Sequence, residues 1–180
     1  MDKGYGVKLA YYESLLENSY AEAVAKLKEK YGTVEDDYFR EKSYERFLNG
    51  KIKFPEKGNF SKTALGLYCH HVNENHHEHL ADLEWIKKYQ YSFELQQKEQ
   101  LVYCDLFEHL LLQALIMKET GNQFGEAEFR VFLAPDIINF YSRKLEPKTK
   151  WKKVIKQRAF LPSEETEQLL DKVMGFLGTV

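Results

Sequence analysis

The chain has 180 residues, a formal charge of −2, 43% hydrophobic and 14% aromatic residues, with Tyr and Phe at 12 each. That length suits one domain and that apolar content a sizeable core, while no run approaches the ~20 apolar residues of a membrane-spanning helix. Two cysteines, Cys69 and Cys104, without Cys-x-x-Cys spacing exclude a disulfide framework and a four-cysteine zinc site, so reduced thiols in a cytoplasmic protein without signal peptide are expected.

Residues 9–31 repeat apolar side chains at three- and four-residue intervals, which predicts an amphipathic helix stopped by Gly32. A second helix is expected over 34–48, with Asp36 and Asp37 complementing its dipole and Asn49-Gly50 as its stop. Residues 51–63, with Pro55, Gly58 and several lysines, read as an irregular connector. Residues 65–72 and 100–105 are short, aromatic and apolar, as strands are, and each holds one cysteine. Between them, 73–79 reads as a polar loop in which His76, His77 and His79 are solvated, followed by a helix around 80–89. Residues 106–118 read as a buried helix capped by Asp105, with Glu108 three residues on as in a capping box, and Gly121 and Gly125 at its exit. Helices near 135–144, 147–158 and 163–177 follow, with Pro135 and Pro147 suiting first turns. Tyr and Phe residues between 11 and 47 recur at helical spacing, as core residues do.

Charge is unevenly spread. Between Phe140 and Phe160, Arg143, Lys144, Lys148, Lys150, Lys152, Lys153, Lys156 and Arg158 stand against Glu146 alone, so this stretch carries +7 and the rest of the chain −9. Tyr141 and Trp151 are interleaved with these cations. Such a stripe can track a phosphate backbone and stack on unpaired bases, or form a solvated helix face.

Strand, polar loop, strand and capped helix are the parts of a ββα-metal finger. Here His70-His71 end the first strand and His109 lies one turn into the helix. Metal-assisted phosphodiester cleavage needs a base beside a metal-held phosphate, and neighbouring residues at a strand end can divide these tasks because their side chains diverge.

The segments SYERFLNGKIKF, GLYCHHVNEN and LVYCDLFEHLLL, between Ser43 and Gln113, resemble the HNH (His-Me finger) endonuclease superfamily. More narrowly they are similar to HNH-like proteins of phages and mobile elements of Gram-positive bacteria, among them type II-A anti-CRISPR proteins that act on the guide RNA of Cas9. The resemblance implies His70 as a metal ligand, His71 as general base and His109 as the helix ligand, with Gln100 where the family's central Asn braces the loop behind the base. Gln113 stands where the mobile-element relatives carry a second helix His. Asp105, His109 and Gln113 are spaced four apart on one expected helix face, so Asp105 or Gln113 is a candidate to complete the coordination. The implied cofactor is a divalent metal, Mn²⁺ or Mg²⁺, with imidazole ligands also suiting Zn²⁺ or Ni²⁺.

The expectation is an α+β fold, mainly helical: a ββα-metal hairpin-plus-helix at 51–122 between an N-terminal helical region, 1–50, and a C-terminal helical basic region, 123–180. The implied function is a metal-dependent nuclease in a bacterial host, cleaving RNA or single-stranded nucleic acid, most concretely an anti-CRISPR that cuts or trims Cas9 guide RNA. The alternatives are a degenerate finger that inhibits by binding Cas9 or its guide RNA, and a general HNH DNA endonuclease. No membrane partner is expected.

Overall fold

Two short polar side chains break the first helical pattern in the structure, a computed structural model that describes residues 4–178. Asn18 Nδ2 donates to the Ser14 carbonyl at 2.7 Å, and Ser19 forms a reciprocal capping box with Glu22. The expected single helix is therefore two, α1 (Tyr5–Leu15) and α2 (Tyr20–Tyr31), because these side chains bond end groups that a continuous helix would bond internally.

The helix expected over 34–48 is confined to α3 (Glu41–Leu48). Residues upstream of it bond to distant backbone: Tyr38 N donates to Gln96 O at 2.8 Å, Arg40 N to Glu56 O at 2.8 Å, and Phe39 bridges to Lys57. Asp36 and Asp37 do not complement a helix dipole. Asp36 accepts from Arg40 and from the Asn59 amide, and Asp37 from the Lys98 amide at 2.9 Å. Gly58 is required here, since a Cβ on it would stand 2.0 Å from the Asp37 carbonyl oxygen. Gly58→Ala is expected to cost about 2–3 kcal/mol of stability by overpacking, read as a lower urea midpoint with an unchanged slope.

The chain then forms β1 (Tyr68–His71), a single 3-10 turn (Val72–Asn75), α4 (Leu83–Tyr89) and β2 (Leu101–Cys104). The strands pair antiparallel, Tyr68 with Cys104 and His71 with Leu101. Strand alternation sorts the side chains. His70 shares a face with its partner Val102, which packs with Tyr20 and Val24 of α2. His71 shares the other with Leu101, which packs with Val34 and Phe60. Both cysteines are free.

Helix α5 (Leu106–Thr120) has the expected Asp105–Glu108 capping box, and Gly121 ends it in the left-handed region at φ 58°. From Leu106 to Met117 every residue is buried. A helix apolar on most of its circumference, with Glu108, His109 and Gln113 as the polar exceptions among its buried residues, must be enclosed, and α1, α2, β1, β2 and the C-terminal helices enclose it. One face packs on Leu9, Tyr12 and Leu15 of α1, and another on Ala23 and Leu27 of α2.

The helix expected to begin at Pro135 starts earlier. Residues 126–142 are helical, with π-helical turns Glu128–Leu133 and Ile138–Ser142 on either side of α6 (Ala134–Ile137). Proline lacks an N–H and crowds the preceding turn, and the wider turns accommodate it. Pro147 precedes rather than begins α7 (Lys150–Arg158), and α8 (Ser163–Leu177) follows as expected. The fold is α+β and mainly helical, with one small sheet among the described residues. No helix among them is long and apolar enough to cross a membrane.

Candidate functional site

His70, Glu74 and His109 offer donor atoms that all lie within 4.8 Å of one another. Three elements bring them together: β1 carries His70, the 3-10 turn after it carries Glu74, and the first turns of α5 carry His109. The His70 and His109 rings meet edge to face with centroids 5.2 Å apart.

Hydrogen bonding fixes the state of His70. Tyr20 Oη donates to the Val72 carbonyl at 2.8 Å and lies 2.7 Å from His70 Nε2. A carbonyl can only accept, so the single hydroxyl proton goes to Val72 and His70 Nε2–H donates to the tyrosine oxygen. His70 Nδ1 then carries a lone pair, 3.3 Å from Glu74 Oε2, and is buried without a hydrogen-bond partner. His109 Nδ1 and Gln113 Oε1 are likewise buried and unpartnered, while Gln113 Nε2 donates to Glu74 Oε2 at 2.6 Å. His70 Nδ1 and Glu74 Oε2 therefore face each other as two acceptors, with a His109 ring nitrogen within 4.8 Å of both. Buried polar atoms without partners are costly, and a cation is the group that this donor set fits.

Burial is the main force on both ring pKa values, holding His70 and His109 down to about 3; His71 adds to the lowering at His70 and His70 adds to it at His109, where Glu74 opposes it. Neutral imidazole is the form that ligates a metal.

His71 is held differently. Gln96 Nε2 donates to the Leu80 carbonyl at 2.9 Å, so its Oε1 accepts from His71 Nε2 at 2.9 Å. The proton on His71 is thereby placed on Nε2, and Nδ1 is left as a base, 4.0 Å from Glu74 Oε1. Burial lowers the His71 pKa, while Glu74 and Gln96 oppose that shift. Tyr38, from the segment upstream of α3, packs on the ring at 4.5 Å.

A cavity of about 400 Å³ opens on this cluster, lined by His71, Glu74, His109, Gln113, Glu128 and the loop residues His77 and His79 among others. Glu128 comes from a π-helical turn, a feature often found at functional sites. Burial, with Glu74 nearby, holds its carboxyl up to about 7.

Of the residues singled out by sequence, His70, His71, His109 and Gln113 gather here. Asp105 does not. Being the N-cap it departs from the helical spacing: Oδ1 accepts from the Glu108 amide and Oδ2 from Tyr12 Oη at 2.7 Å. Gln100 accepts from Asn73 Nδ2 at 2.8 Å, and it is Gln96 that holds His71. Glu74, Gln96 and Tyr20 were not singled out. The spacing of Glu74 after His70-His71, three and four residues, is a metal-ligand pattern that could have marked it.

The basic stripe lies elsewhere, since none of its residues line the cavity. Lys152 pairs with Asp136 at 2.8 Å, Lys156 with Glu146, and Arg158 donates to the Leu65 carbonyl at 2.9 Å. Arg143, Lys144, Lys148, Lys150 and Lys153 are exposed. Trp151 is 43% exposed, but Tyr141 is buried, stacked on Phe107 at 5.3 Å and donating to the Lys156 carbonyl, so it offers no face to a base. Set against family models, curated proteins and solved structures, the chain matches none of them.

Proposed function

We propose that the protein is a divalent-metal-dependent nuclease whose centre is a ββα-metal finger made by β1, β2 and α5. The observation that carries this reading is the unprotonated Nδ1 of His70 facing the Glu74 carboxylate at 3.3 Å, with a donor atom of His109 within 4.8 Å of both. His70, Glu74 and His109 would hold the ion, and two imidazoles with one carboxylate suit Mn²⁺, Zn²⁺ or Ni²⁺ better than Mg²⁺. When bound, the ion supplies positive charge against the negative charge that builds on the phosphoryl oxygens.

The chain's own groups handle the protons. His71 Nδ1 takes the proton of a water, or of a ribose hydroxyl, as that oxygen bonds to phosphorus. Gln96 keeps the ring in the tautomer that makes Nδ1 the base. Glu128, protonated in part near neutral pH, returns a proton to the oxygen that departs as its bond to phosphorus breaks. The resemblance to HNH-like proteins of mobile elements adds RNA, and specifically Cas9 guide RNA, as the substrate.

Incubating the full chain with labelled guide RNA, free or bound to Cas9, and with single- and double-stranded DNA tests this on denaturing gels. Cleavage is expected to stop in EDTA and to return with Mn²⁺ at least as well as with Mg²⁺. Cleavage persisting in EDTA would overturn the metal centre. Inhibition of Cas9 without any cleavage would instead support a finger that acts by binding, a reading favoured by the Gln113 amide that already occupies one Glu74 oxygen.

A further inference from the structure

A second set of rings borders the cavity. Trp85 and Tyr89 stand four residues apart on one face of α4, and Gln90, left-handed at φ 52°, ends the helix and returns the chain so that Tyr91 follows in line. The ring centroids run His79 to Trp85 at 4.5 Å, Trp85 to Tyr89 at 5.4 Å, Tyr89 to Tyr91 at 5.7 Å and Tyr91 to His77 at 5.3 Å. Both histidines at the ends of this arc line the cavity that holds His71, Glu74 and His109.

Its inner side is anchored. Ile86 and Leu80 are buried beneath it, and Tyr91 Oη donates to the Glu78 carbonyl at 2.9 Å, tying the arc to the histidine loop. Its outer side is open at Tyr89, 50% exposed, and at the half-buried Trp85, while Tyr91 is buried and backs the row; the near-parallel Trp85–Tyr89 pair is offset at this separation, so ring face remains for a further partner. Lys88 Nζ lies 5.3 Å from the Trp85 ring centre and 4.8 Å from that of Tyr89, which puts a cation beside the rings. His79 is held at φ 53°, a conformation uncommon for a residue with a side chain, in the loop joining arc and cavity.

Flat rings in series with a neighbouring ammonium match the chemistry of an unpaired strand, whose bases offer π-faces and whose phosphates need positive charge. A duplex hides those faces in its own stack. We propose that the His79–Trp85–Tyr89 row, backed by the buried Tyr91, is the strand platform of the site, stacking unpaired bases of a single-stranded nucleic acid whose adjoining phosphate enters the cavity. The phosphate's fate in this picture rests on the nuclease reading above; the stacking does not.

The test is fluorescence anisotropy of a labelled 12-nucleotide single strand with the full chain in EDTA, which suppresses metal-dependent cleavage. Trp85→Ala and Tyr89→Ala are each expected to weaken binding by about 10-fold or more. The slope of affinity against salt should stay as it was, because a lost stacking contact frees no phosphate-bound counterions. Charge reversal at Lys152 and Lys153, on the separate basic stripe, should flatten that slope if those lysines touch phosphate. Trp85→Leu preserves packing on the core, and Tyr89→Ser changes a half-exposed side chain, so weakened binding in folded proteins does not hinge on the alanine variants. A duplex of the same sequence should be indifferent to these ring substitutions. Unchanged single-strand affinity across the ring variants would overturn the platform, whatever the chain cleaves. Ring-dependent binding in a protein that cleaves nothing in any divalent ion would keep the platform and remove the nuclease reading.

Discussion

His71→Ala is expected to lower nucleic-acid cleavage by about 10²–10⁴-fold, the usual contribution of a positioned base. The variant should still fold, but less stably, because the substitution leaves Gln96 Oε1 without its buried donor and opens a void beside Tyr38. Loss of rate alone would therefore not separate a base from a core residue. Added imidazole does so: it should restore part of the rate to His71→Ala, where a free ring can occupy the void and take the proton, with a rate that follows the unprotonated fraction of the added base. Gln96→Leu removes the acceptor that sets the tautomer and is expected to lower the rate less than His71→Ala, with a displaced pH profile. Wild-type cleavage by His71→Ala would dismiss the assignment of the base.

Acid is expected to destabilise the protein well before ordinary carboxylates titrate. His70, His71 and His109 are buried, and burial holds their pKa values below the free value of 6.5, to about 3 for His70 and His109. As pH falls through 6.5 the unfolded chain binds protons that the folded chain refuses, so His70 and His109 each remove about 1.4 kcal/mol per pH unit below 6.5, and His71 acts in the same direction. Two carboxyls act the other way. Burial lifts Glu128 to about 7, and burial beside Glu108 lifts Asp105 above the usual carboxylate range, so folding takes up protons on these groups as pH falls. Their gain offsets most of the histidine loss, leaving a net destabilisation of about 1 kcal/mol or less between pH 7.5 and 5.5. Urea midpoints at the two pH values measure it. Glu128→Gln removes one offset and should steepen the loss, and a bound divalent ion should steepen it further, since protons compete for its ligands. A midpoint that rises on acidification would mean that the histidines are not held neutral.

Helix α5 is the clearest case of structure determined by sequence alone. Its cap, its largely apolar surface and its glycine stop are local features within residues 105–121, and each behaves as local rules require. The same holds for the hairpin strands and for α8, whose patterns are short-range. The gathering of His70, His71 and His109 was legible too, because a strand end and the first turns of a capped helix on one hairpin can only lie close together.

The tertiary structure alone decided how those histidines are held. Tyr20 reaches His70 across 50 positions, Gln96 reaches His71 across 25, and Gln113 reaches Glu74 across 39. No periodicity carries such pairings, since they depend on which faces of α2, β1 and α5 meet. The same limit explains the difference at 34–40, where acids placed as in a helical first turn suggest a helix, but the backbone finds partners at 56–58 and at Gln96. The five-ring arc is formed by a histidine loop, one helical face and a left-handed turn. Local sequence supplied its rings, and only packing on Leu80 and Ile86 set them in one row, because side-chain burial rather than spacing chooses which rings share a surface.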